Sequence, residues 1–178
     1  MFKERQAILM QRSIRKKVCI LGAAAVGKTS LVAGYTGGEF SPKYQPTLGV
    51  WITRTTVVIN ERLRELIVWD IKGESEFYRI PSAYLYASDG YVLVADGTSR
   101  SSWEHALELH TRMQAMCGDI PHVLVCNKAD LEHAWEFDAT VLASLRAKIP
   151  NVFVCSARSG DGLVEALVTL GHAMWGGK

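Results

Sequence analysis

Five short, continuously apolar runs, at positions 18–21, 66–69, 91–95, 123–126 and 152–155, constrain this chain more than any other feature. Each has strand length and mostly strand-prone side chains, and none alternates apolar with polar. Such runs suit strands covered on both faces, as in a parallel sheet between two layers of helices. Helix-like stretches at 28–37, 102–117, 137–148 and 162–175 alternate with them, which predicts an α/β fold. Residues 50–59 depart from the pattern: they carry Thr53, Thr55, Thr56, Val57 and Val58 and reach Asn60-Glu61-Arg62 before the next apolar run. That predicts a hairpin, and so one antiparallel edge strand on an otherwise parallel six-stranded sheet with helices on both faces.

No repeat and no linker rich in Pro, Gly or Ser divides the 178 residues. One domain over 15–178 is expected, preceded by an arm at 1–14. The net charge of +2 is uneven, because residues 1–17 hold six basic side chains against Glu4 and the other 161 residues carry −3. A nucleic-acid surface would spread its basicity over a face of the fold and interleave aromatics, so none is expected. The arm also carries Phe2, Ile8, Leu9, Met10 and Ile14. It is expected to be solvated, with weak contact to an anionic membrane or packing on the domain as alternatives.

No apolar stretch approaches the roughly 18 residues of a membrane span, and residues 1–17 have no signal-peptide core. Cys19, Cys117, Cys126 and Cys155 lack metal-ligand spacing, and three of them sit in apolar runs. A reduced, cytoplasmic compartment is expected.

Polar residues appear where the runs end: Gly22, Asp70, Asp96, Asn127 and Ser156. Ligands of open α/β sheets bind outside the carboxyl ends of the strands, so these positions are expected to line one crevice. Gly22-Ala23-Ala24-Ala25-Val26-Gly27-Lys28-Thr29 matches G-x-x-x-x-G-K-[ST] between a strand and a helix, which is the context of a phosphate-binding loop. Successive N–H groups at a helix start form an anion nest, and Lys28 adds a point charge toward β- and γ-phosphates. Gly22, Ala25, Val26, Gly27, Lys28, Thr29 and Ser30 are its candidate contacts, with the Thr29 hydroxyl directed to Mg²⁺. Asn127-Lys128-Ala129-Asp130 reads N-K-x-D, and a carboxylate at Asp130 could accept from N1–H and N2–H₂ of guanine, donors that adenine lacks. Alone, that tetrapeptide is an ordinary turn. Ser156-Ala157-Arg158 can add a backbone N–H toward the guanine O6.

With Asp70-Ile71-Lys72-Gly73 and the segment Phe40-Ser41-Pro42-Lys43-Tyr44-Gln45-Pro46-Thr47, these motifs stand in one order, and over nearly its whole length the chain resembles the Ras and Rab-like small GTPases. The resemblance implies a phosphate-loop fold that binds GTP or GDP with Mg²⁺ and converts GTP and water to GDP and phosphate. It implies that Phe40 packs on guanine, Tyr44 covers the phosphates and Thr47 ligates Mg²⁺ while γ-phosphate is present. Asp70 would hold Mg²⁺ through water, and the Gly73 N–H would touch γ-phosphate. An effector, an exchange factor and a GTPase-activating protein are the implied partners of a chain expected to be monomeric in isolation.

The departures bear on catalysis. Where the family usually reads D-T-A-G-Q-E, this chain reads Asp70-Ile71-Lys72-Gly73-Glu74-Ser75, so Glu74 replaces the water-positioning glutamine, and Ala24 replaces a glycine. An ionised carboxylate only accepts hydrogen bonds and repels phosphate, so slow hydrolysis is expected from Lys28, Thr47, Gly73 and Glu74. Like charge is expected to raise the pKa of Glu74, unless the side chain turns into solvent. A module that binds GTP without turnover is the alternative. A phosphate-loop kinase is opposed by Asn127 and Asp130. No cysteine follows Cys155, so no prenylation box is expected, and with Phe2 at the second position no myristoylation is expected.

Overall fold

The computed structural model describes residues 15–37, 48–75 and 78–176. Phe40, Tyr44, Thr47 and the arm at 1–14 lie outside the described residues. Six strands form one sheet: β1 (Arg15–Leu21), β2 (Val50–Ile59), β3 (Arg62–Ile71), β4 (Gly90–Asp96), β5 (His122–Asn127) and β6 (Val152–Val154). Their order is β2-β3-β1-β4-β5-β6. Only the β2–β3 pair is antiparallel, in register from Val50 opposite Ile71 to Ile59 opposite Arg62. The expected edge hairpin is therefore present. Asn60 and Glu61 take φ of 50° and 60°, the left-handed pair of a two-residue turn whose twist matches the flanking strands.

Among the described residues, five α-helices surround the sheet: α1 (Lys28–Tyr35), α2 (Ser82–Leu85), α3 (Arg100–Cys117), α4 (Ala139–Lys148) and α5 (Leu163–Trp175). The core has two layers. Val18, Ile20, Leu66, Val68, Val92 and Val94 pack toward α1 and α5, while Cys19, Leu21, Tyr91, Leu93, Leu124 and Cys126 pack toward α3 and α4. Alternate residues of the same run feed opposite layers, which is why the runs are apolar throughout. All four cysteines are free thiols.

Element ends differ from the periodicity. The helix expected from residue 137 begins at Ala139, because Asp138 caps it by accepting from the Val141 N–H at 2.8 Å and Phe137 is buried in the core instead. Helix α3 begins at Arg100 rather than 102, and α1 ends at Tyr35 rather than 37. The four-residue α2 carried no sequence signal. Three basic residues next to the arm belong to β1: Arg15 pairs with Glu65, Lys16 with Asp89 at 3.2 Å, and Lys17 donates to the Tyr84 and Tyr86 carbonyls.

Candidate functional site

The turn after β1 is built to expose N–H groups at the start of α1. Ala25 and Gly27 both take left-handed φ, 62° and 96°, and between them the amides turn toward one side as an anion nest. A side chain at Gly27 would be strained by that φ and would strike Asn127 Nδ2. Lys28 is buried, and its ammonium folds back onto the carbonyls of Gly22 at 3.2 Å and Ala23 at 2.6 Å. Burial pulls it down to about 8, against the opposing pull of the Asp70 carboxylate.

Asp70 ends β3 one strand away from the loop, and the Thr29 hydroxyl donates to its Oδ2 at 2.6 Å. Its other oxygen, Oδ1, is buried with no hydrogen-bond partner. Burial lifts the Asp70 pKa, with the Thr29 hydroxyl and the Lys28 ammonium pulling it back. A buried carboxylate oxygen without a partner, beside a hydroxyl and at the mouth of an anion nest, fits a hard divalent cation shared with phosphate.

The motifs after β5 and β6 meet the loop from the other side. Asn127 is a bracket: its Nδ2 donates to the Val26 carbonyl at 2.9 Å, and its Oδ1 accepts from the Ala157 N–H at 2.9 Å. Asp130 Oδ1 accepts from the Ser156 hydroxyl at 2.6 Å, and Arg158 stands 3.8 Å from Oδ2. Lys128, at φ 69°, pairs with Asp96 at the end of β4. The predicted residues Gly22, Ala25, Val26, Gly27, Lys28, Thr29, Ser30, Asp70, Gly73, Asn127, Lys128, Asp130, Ser156, Ala157 and Arg158 are thus carried to one edge of the sheet by four strand ends.

Residues 73–75 rest on the phosphate loop. The Ala24 N–H donates to the Glu74 carbonyl at 3.0 Å, and a Cβ on Gly73 would lie 2.6 Å from the Ala24 nitrogen, so only glycine allows the two backbones this close. The Glu74 side chain corrects both expectations made for it. It neither faces the phosphate side with a raised pKa nor turns into solvent. Its side chain is 0% exposed, with Oε1 accepting from the Ile80 N–H and Arg112 at 2.7 Å each, and Oε2 from Arg79 at 3.2 Å. Burial alone would raise its pKa, but the hydrogen bonds from Ile80, Arg112 and Arg79 outweigh burial and hold the carboxyl below the usual range.

Sequence reasoning missed Arg112, Arg79 and His105, whose Nε2 lies 3.5 Å from Glu74 Oε2. The available signal was spacing: His105 and Arg112 are seven apart and share a face of α3. A cleft of about 410 Å³ opens between Ala24, Glu74, Ser102 and His105.

The Ras family model matches residues 17–175. The chain belongs to the Ras family. The Ras-related protein Rab-7b of Mus musculus is 30% identical over 165 residues, covering 90% of this chain and 82% of that protein. The Ras-related protein Rab-21 of Geodia cydonium is 31% identical over 165 residues, 90% of this chain and 71% of that protein. As a Ras-family small GTPase, the chain is a nucleotide-binding switch with the phosphate-loop fold. Its family binds GTP and GDP, typically with Mg²⁺, and acts through effectors, exchange factors and activating proteins.

Proposed function

We propose that this small GTPase hydrolyses GTP slowly and signals by the order of the segments around Thr47 and Gly73. The observation that supports slow turnover is the position of Glu74, whose carboxylate is committed to Arg112, Arg79 and the Ile80 N–H. A group so held does not orient an attacking water, and Ala24 adds a methyl at a position that is glycine in Ras.

In this reading the N–H groups of Ala25, Val26 and Gly27, with those of Lys28, Thr29 and Ser30, bind the phosphates, and the Gly22 turn sets their approach. Lys28 leaves the Gly22 and Ala23 carbonyls for the β- and γ-oxygens. Asp130 reads the guanine edge, the Ser156-Ala157-Arg158 turn offers an N–H to O6, and the Lys128 stem lies along the base. Thr29, Thr47 and, through water, Asp70 would hold Mg²⁺, which would supply positive charge against the phosphates. Phe40 and Tyr44 contact base and phosphates. The protein acts in the cytoplasm, monomeric in isolation, with at most weak membrane contact through residues 1–14.

Identifying the nucleotide that copurifies, then following its conversion in a single turnover, tests the proposal. Retention of guanine nucleotide with slow release of phosphate is expected. Release of none identifies a binding module without turnover, and retention of adenine nucleotide sinks the guanine assignment.

A further inference from the structure

The segment that carries Gly73 is seated on the phosphate loop by very little backbone. Among the described residues they meet in an isolated parallel bridge of Ala23 with Glu74, in which the Ala24 N–H donates to the Glu74 carbonyl, beside the close approach of Gly73 to Ala23 and Ala24. The Glu74 side chain holds the segment as well, and its three hydrogen-bond donors, with His105 of α3 standing 3.5 Å away, are not equivalent. Ile80 lies six residues on along the chain, and its side chain is buried in the core layer that α3 also feeds, so its N–H ties Glu74 to the fold through the same stretch of chain and not directly to a second element. Arg79 also lies within that stretch and is 71% exposed, a position where an ion pair fixes little. Arg112 is different. It projects from α3, an 18-residue helix whose Ala106, Leu109 and Met113 are buried against β4 and its neighbours, and it reaches Glu74 Oε1 at 2.7 Å.

We infer that Arg112 is a positioning residue for γ-phosphate sensing: it anchors Glu74 to α3 and so holds the Gly73 N–H ready at the mouth of the phosphate loop. The inference rests on the guanine-nucleotide reading above. A triphosphate needs Gly73 in place, whereas a diphosphate has no γ-phosphate to meet it. With Arg112 present, Gly73 and Glu74 are held in place within the chain before the ligand arrives. With the tether cut, the competent arrangement is only fractionally populated, and the affinity for triphosphate falls by that fraction. The effect is confined to the nucleotide that uses the segment. Position 74 therefore serves a role opposite to that of a mobile catalytic amide, since its carboxylate faces inward and acts through Arg112 and Gly73 rather than on water.

The test compares the wild type with Arg112→Gln and Arg112→Lys. Affinities for GDP and for a non-hydrolysable GTP analogue are measured in Mg²⁺, and amide hydrogen exchange over residues 73–80 is followed without nucleotide. Arg112→Gln is expected to weaken the analogue about fivefold or more while GDP binding changes little, a coupling at the lower end of what linked sites show. Exchange at 73–80 is expected to accelerate, and Arg112→Lys, which keeps a charge within reach of Glu74, to recover most of both effects. Because Arg112→Gln strands a buried carboxylate, Glu74→Gln/Arg112→Met serves as the companion: it removes tether and charge together and is expected to show the same split between analogue and GDP. Equal loss of both nucleotides in both variants, or unchanged analogue affinity with unchanged exchange, overturns the inference. Should the wild type bind neither nucleotide, the guanine reading fails and the γ-phosphate role fails with it, while the exchange data still decide whether Arg112 tethers the segment.

Discussion

The two ends of the candidate site are held in different ways. At the base end the fold supplies its own partners: Asn127 joins the phosphate loop to the turn after β6, the Ala129 N–H donates to the Cys155 carbonyl at 3.0 Å, and Ser156 supports Asp130. Each of these bonds links different strand ends, so the bracket is over-determined and positions Asp130 whatever is bound. At the phosphate end the same fold leaves a buried carboxylate oxygen of Asp70 without a partner, turns Lys28 onto loop carbonyls, and fastens the Gly73 segment by a side chain. On the function proposed above, the base end is preorganised for recognition, and the phosphate end is arranged to change with its ligand. Affinity for the base and sensitivity to the γ-phosphate are thereby separated along one crevice.

That separation can be broken at either end. The largest effect is expected at the base end, where Asp130→Asn should weaken GTP and GDP alike by about a hundredfold, since hydrogen bonds to a charged group contribute roughly 1.5–3 kcal/mol each. Xanthine nucleotides should gain, because the new amide can donate to their C2 carbonyl. Titration with all four nucleotides checks this, and undiminished GTP affinity would remove the base end from the comparison. Next comes Thr29→Asn at the phosphate end, which loses the hydroxyl on Asp70 and is expected to harm GTP more than GDP, with a weaker dependence on Mg²⁺ in the same titration. Equal harm to both nucleotides would mean that the two ends are not separable.

Smaller is the effect of Glu74→Ala on stability, since it strands the buried Ile80 N–H at a cost of about 1–3 kcal/mol in urea unfolding. Glu74 also gives that stability a pH dependence. Its folded carboxyl lies below the ordinary value, so the contribution is present above the usual carboxylate range and is lost as pH falls through that range toward the lower folded value. The gap between wild type and Glu74→Ala should close on acidification, and a gap that widens would contradict the buried ion pair. The smallest effect is expected on turnover: in single-turnover assays Glu74→Ala should change the slow wild-type rate little. A fast wild-type rate that collapses in this variant would show that the carboxylate leaves Arg112 and works on the substrate.

Much of this architecture is legible in the chain itself. Runs such as 91–95 and 123–126 are apolar at every position because both faces of their strands are covered, and that pattern is local in sequence. The loop from Gly22 to Thr29 is legible for a similar reason, since its glycines, lysine and threonine are set by a turn of a few residues. Helix starts were less legible: whether Phe137 opens a helix or plugs the core depends on Asp138 finding the Val141 N–H, a choice settled by packing.

Sequence alone determined the α/β class, the single antiparallel edge, the strand ends where polar residues meet and the family of the fold. Only the tertiary structure decided where Glu74 points. A carboxylate has no preference of its own between phosphate, solvent and arginine, and its position depends on which cations other elements bring near. Arg112 is 38 residues away on a different element, and it reaches Glu74 because β4 and α3 pack it there. Charge pairing over that separation leaves no periodic trace in the chain, so a substitution that reads as a damaged catalytic position proves, in three dimensions, to be the buried half of an ion pair with a half-exposed arginine.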